Sequence, residues 1–179
     1  MLSDGAQRGE RVARIDVAER GIEVDGTPER SVREASEMSD VTLMPVDPTP
    51  DEVQYLEDRI YEFNSRATDI ADGELLAFFV RDGDRIVAGI CGNTWGGTCE
   101  LRQFWVDESQ RHRGLGTKLF EAAEREARLR GCKQIVLMTF SFQAPSFYEM
   151  HGFEVIAAID NHPRGHRNLL MRKHLGPDS

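Results

Sequence analysis

The stretch Gln110-Arg-His-Arg-Gly-Leu-Gly-Thr-Lys-Leu-Phe120 decides how this chain is read. It follows a strand-like run from Glu100 to Asp107 and opens a long amphipathic segment that stops at Gly131. Arg111, Gly114 and Gly116 put basic charge and two glycines where a helix begins. The first N–H groups of a helix have no partner within it, and the helix dipole adds partial positive charge there. Glycine lets main chain come close to a ligand. The combination predicts a pyrophosphate cradle. Two other cradles do not fit. A Walker loop requires Gly-x-x-x-x-Gly-Lys-Ser/Thr, which Gly114-Leu-Gly-Thr-Lys118 does not supply. The dinucleotide fingerprint requires three glycines and a later acidic residue, and only two glycines are present.

A second segment narrows the choice. Ser141-Phe-Gln-Ala-Pro-Ser-Phe-Tyr-Glu-Met-His-Gly-Phe153 carries the pattern Ala-x-x-Phe-Tyr-x-x-x-Gly-Phe through Ala144, Phe147, Tyr148, Gly152 and Phe153. The interval between the two segments holds one helix and one strand. With the Arg-x-x-Gly-x-Gly order at Arg111–Gly116, the chain resembles the GNAT superfamily of N-acetyltransferases over roughly residues 41 to 179. Pro163-Arg-Gly-His166 is similar to a turn found in a subgroup of small microbial members. The resemblance implies an α/β (α+β) GNAT fold, with a mixed, mostly antiparallel central sheet flanked by helices.

Composition is that of an ordinary globular protein. The chain has 179 residues, 40% hydrophobic and 30% charged, enough for one domain with a real core. No apolar run approaches the ~20 residues of a membrane span. The N-terminus lacks the apolar centre of a signal peptide, so a cytoplasmic location is expected. The net charge of −9 argues against a general nucleic-acid-binding face and suits a cationic amine substrate. Cys91, Cys99 and Cys132 show no metal-ligand spacing and no disulfide framework. Cys91 and Cys99 read as small core residues in strands. No metal site is expected.

Residues 1–40 are rich in charge, glycine and serine, and read as a flexible extension or a short hairpin packed on the domain, with Met38 as an alternative start; the domain is expected over 41–179. Val41–Met44 reads as a short strand. A helix is expected from about Asp51 to Ser65, with Leu56, Ile60 and Phe63 facing the core. Asp82-Gly-Asp84 and Trp95-Gly-Gly97 are turn signals within a three-strand meander. Helix, strand, short helix and two final strands follow, around the loop Asn161-His-Pro-Arg-Gly165. One family helix is expected to be shorter or missing near Arg66 to Asp72.

The resemblance also implies roles. Acetyl-CoA is the expected co-substrate and a primary amine of a small molecule the expected acceptor. A protein lysine or N-terminal amine is the alternative acceptor, and a CoA-binding sensor without turnover is an alternative of another class. No nucleic-acid or membrane partner is expected, and a homodimer is among the forms the family adopts. Tyr148 is the expected proton donor to the departing thiolate. Main chain at Phe104, Trp105 and Val106 should meet the pantetheine arm and the thioester carbonyl. Arg111, His112, Arg113, Gly114, Leu115, Gly116 and Thr117 should meet the phosphates. Ser141 stands where the family often has an asparagine that holds pantetheine, and Gln143 or a backbone group is the substitute. Glu100, eleven residues before Arg111, is the candidate general base, in an apolar strand where burial would raise its pKa. Its other readings are an edge-strand carboxylate in solvent or a partner for the substrate's ammonium. Trp95, Tyr55, Tyr61 and Phe63 are candidates for the acceptor wall, each also readable as core, and the loop around Pro163 could close over it.

Overall fold

Two periodicities build this molecule: alternation of apolar residues in the strands and a 3.6-residue repeat in the central helix. The computed structural model describes residues 45–176. The extension 1–40 and the expected strand Val41–Met44 lie outside the described residues. In chain order the elements are α1 (Pro50–Thr68), β1 (Glu74–Asp82), β2 (Arg85–Trp95), β3 (Thr98–Val106), a short 3-10 turn (Glu108–Gln110), α2 (Leu115–Leu129), β4 (Gln134–Phe140), α3 (Pro145–Met150), β5 (Glu154–Asp160) and β6 (Arg167–His174). Residues Asp58–Ser179 form one compact unit.

The six strands make one sheet in the order β1-β2-β3-β4-β6-β5. All pairs are antiparallel except β3 with β4. That parallel pair forces a crossover, and α2 supplies it. Leu119, Phe120, Ala123 and Ala127 recur along one side of α2 and are buried. They pack on Leu76, Ile90, Leu101, Ile135, Leu137 and Met171, which point to one face of the sheet. Phe120, missed in the sequence, is the largest fully buried side chain.

Helix α1 begins with a reciprocal cap. Thr49 Oγ1 accepts from Glu52 N at 3.3 Å, and Thr49 N donates back to Glu52 Oε2 at 2.7 Å. The helix runs to Thr68, so no separate helix follows before β1. The expectation that Leu56, Ile60 and Phe63 face the core is not met. All three are exposed, Phe63 at 71%, and α1 has no buried residue. Their spacing is helical, but α2 already covers the sheet face that holds the core. Cys91 is a second correction. It points to the opposite face and is only part-buried, its Sγ 3.1 Å from Gln103 Oε1, whereas Cys99 is fully buried. No helix among the described residues is long and apolar enough to cross a membrane.

Candidate active site

The site starts with one extra residue in β3. Cys91 pairs with Gln103 and Gly92 with Leu101, so Arg102 is a bulge between them. A bulge bends its strand and increases local twist. Gly92 permits this geometry, because a Cβ there would lie 1.9 Å from the Glu100 carbonyl oxygen. Beyond the bulge β3 leaves β4. The two strands pair from Thr98↔Gln134 to Leu101↔Leu137 and no further, although β3 runs on to Val106 and β4 to Phe140. The sheet is therefore split along half its length.

A groove of about 830 Å³ occupies the split. Phe104–Val106 form one wall, and Leu137–Phe140 with Phe142 form the other. Phe147 and Tyr148 of α3 line it, and the loop ahead of α2 closes its end. That loop is tied down at its root. Asp107 accepts from Ser109 N at 3.0 Å and from Ser109 Oγ at 2.6 Å, and pairs with Arg85. The Ser109 hydrogen bonds, helped by Arg85, hold the Asp107 carboxyl below the usual range. Arg111 Nε donates to Val106 O at 3.2 Å.

The loop then turns left-handed twice, at His112 (φ 60°) and Gly114 (φ 76°). Such turns gather successive N–H groups into an anion-binding concavity. The N–H groups of Leu115, Gly116 and Thr117, at the start of α2, add donors without helical acceptors. A Cβ built at Gly114 would meet nothing within 4 Å, so space remains over the cradle. These features fit the pyrophosphate of a CoA-type molecule: main-chain donors, positive helix end and open approach coincide.

Tyr148 is fixed by rings. It packs on Phe104 (6.3 Å between centroids), Phe147 (5.5 Å) and Phe153 (5.7 Å). Its hydroxyl makes no hydrogen bond to another described residue. Burial pushes its pKa up to about 12, so it is a neutral phenol at ordinary pH.

Of the residues singled out in the sequence, Phe104, Trp105, Val106, Arg111, His112, Gly114, Leu115, Gly116, Thr117, Gln143 and Tyr148 line the groove. Arg113 and Ser141 do not. Arg113 donates to Gln110 Oε1 at 3.1 Å, and Ser141 is joined to Arg167 by paired hydrogen bonds that anchor β6. Gln143 accepts from Phe140 N at 2.9 Å and Thr139 Oγ1 at 3.0 Å, which caps the end of β4.

The burial expected at Glu100 is absent. Its neighbours Cys99 and Leu101 point into the core, so strand alternation sends Glu100 to the open face. There its side chain is 49% exposed and lies 3.5 Å from Arg102. Trp95, Tyr61 and Phe63 also lie outside the groove wall. Trp95 Nε1 donates to Ile70 O at 3.0 Å, and Tyr61 Oη accepts from Gly73 N at 2.9 Å. Sequence reasoning missed Gly92, Arg102, Phe140 and Phe142. The isolated glycine inside an apolar strand was the available signal for the bulge.

Comparison with known proteins agrees with this geometry. The sequence model described as the acetyltransferase (GNAT) family matches residues 40–153. The chain belongs to that family and is an N-acetyltransferase by class. Blasticidin-S acetyltransferase of Streptomyces morookaense is 34% identical over 91 residues, 50% of this chain and 67% of that protein. The crystal structure of an acetyltransferase from Bacillus cereus ATCC 14579 superposes with a TM-score of 0.61 at 30% identity, covering 74% of this chain and 98% of its own. An aminoglycoside 6'-N-acetyltransferase, solved with coenzyme A, shares the fold at a TM-score of 0.53 and 18% identity, over 76% of this chain and 99% of its own.

Proposed function

We propose that this chain transfers the acetyl group of acetyl-CoA directly to a primary amine of a small molecule within a ternary complex. The observation that carries the reading is the half-split sheet, with a donor-rich helix start at its outer end and the Tyr148 hydroxyl in its wall. The blasticidin-S acetyltransferase relative supports a small-molecule acceptor.

Acetyl-CoA, when bound, supplies an activated thioester whose acyl carbon an amine attacks. The loop N–H groups from Gly114 to Thr117 hold its pyrophosphate. Where main chain of Phe104–Val106 is not bonded to β2 or, at Val106 O, to Arg111, it has no β4 partner and is free to bind the pantetheine arm and donate to the thioester oxygen as charge builds on it. Tyr148, kept protonated by its raised pKa, donates to the sulfur as the C–S bond breaks. Glu100 stands at the vertex of the split, opposite Val136. Its solvated carboxylate takes the amine proton through water.

The test is release of CoA from acetyl-CoA across polyamines, amino acids, aminoglycosides, blasticidin S and lysine peptides. Release with a small-amine class is expected. Release with lysine peptides alone would make the protein a protein acetyltransferase. Tyr148→Phe should lower turnover about 10²-fold with acetyl-CoA KM unchanged, the size of a lost general acid. Equal turnover removes Tyr148 from the mechanism.

A further inference from the structure

We propose that the open-face mouth of the split is an aromatic platform that selects amine acceptors carrying a flat ring, an inference that rests on the function proposed above and names its substrate class. Along β4, Leu137 and Thr139 are buried toward α2, so Met138 and Phe140 stand on the other face. Phe142, just past the strand, stacks on Phe140 with centroids 5.3 Å apart and planes 4° from parallel. Both rings line the groove, and Phe142 is 54% exposed.

Two imidazoles hold this pair. His162 meets Phe140 edge-on at 5.7 Å, and His166 meets Phe142 edge-on at 4.8 Å. Both come from the β5–β6 loop, whose own hydrogen bonds fix them. His162 N donates to His166 O, His166 N to Pro163 O, and Gly165 N to Asn161 Oδ1 at 2.8 Å. A loop built this way orients rings, and the turn signal in the sequence thus gains a task.

Asn168 stands on the same face as the rings. Asn168, the cross-strand partner of Phe140, is 8% exposed, and its Oδ1 is buried without a hydrogen-bond partner among the described residues. That oxygen has no accessible surface and Asn168 does not line the groove, so it is the rings that can receive a ligand. A flat ring suits this mouth, because it extends the offset stack on the exposed Phe142. The adenine of CoA is the other flat ring at hand. Its phosphates belong at the start of α2, on the covered face, whereas Phe140 and Phe142 rise from the open one.

The experiment is calorimetric titration of the protein–CoA complex with tryptamine and with 2-cyclohexylethylamine, a ring of similar reach without a π face. Tryptamine should bind roughly five- to tenfold more tightly, the scale of one aromatic stack. Phe142→Leu should abolish that ratio, and Phe142→Tyr should keep it. Equal binding of the two amines, or binding of neither, overturns the platform. So does a Phe142→Leu variant whose loss appears in CoA affinity and not in the amine ratio. Acetyl transfer is followed separately: a preserved ratio without CoA release counts against the proposed function and leaves the platform standing.

Discussion

Gly92 shows how much one missing side chain can decide. Its partner strand comes so close that an alanine Cβ would lie 1.9 Å from a main-chain oxygen, and main chain cannot swing aside as a flexible side chain can. Gly92→Ala should therefore cost at least about 1–3 kcal/mol, the range for overpacking. It should also flatten the Arg102 bulge and narrow the split. Urea unfolding reads the first effect, and equilibrium binding of acetyl-CoA the second. A variant of wild-type stability and affinity would show that the bulge does not depend on this contact. Glu100 teaches the complementary lesson. Its strand and its spacing to Arg111 were legible, but its burial was not. Alternation tells which residues share a face, and only the packed structure tells which face is covered.

At the scale of elements, the loop before α2 depends on Asp107. This residue joins Ser109 and Arg85 and so fixes where the left-handed turns begin. Asp107→Ala removes the cap on Ser109 and should lower the melting temperature. Acetyl-CoA KM should rise while the amine KM stays near its original value. An unchanged acetyl-CoA KM would show that the cradle holds itself. Helix α2 was readable because its 3.6-residue repeat is long and Gly131 ends it, and the meander was readable because turn signals separate alternating runs. The stripe Leu56, Ile60 and Phe63 was read with the right period and the wrong environment, since periodicity reports amphipathicity and not its partner. The Phe140–Phe142 stack was illegible for another reason. Its geometry depends on a loop that begins some twenty residues later in the chain.

For the whole molecule, three of the buried or part-buried titratable groups set limbs of the pH dependence of stability. Burial lifts the Tyr148 phenol to about 12, and burial, reinforced by neighbouring Cys132, lifts the Cys99 thiol to about 12. Both fold-state values exceed the unfolded ones, so their contribution is complete below the unfolded pKa values, 9.0 for the thiol and 10.0 for the phenol, and is lost as pH rises through about 12. Glu124 behaves oppositely. Burial alone would raise its carboxyl, but Lys173 at 2.6 Å and Arg128 at 2.9 Å outweigh burial and hold it below 4.5. Its contribution is complete above that value and is lost as pH falls through the lowered one. Denaturant unfolding across pH should show a plateau with falling limbs on both sides. Cys99→Ala should flatten the alkaline limb and Glu124→Gln the acid limb. Limbs unchanged in both variants would assign the pH response to other groups. The split between β3 and β4 has a consequence of its own. A zipper closed for four teeth and left open beyond them keeps its remaining amides exchanging with solvent until something fills the gap. Deuterium uptake at those amides of Arg102–Val106 that do not bond to β2 thus becomes a clock for ligand residence, and occupancy and folding stability turn into two readings of the same amides.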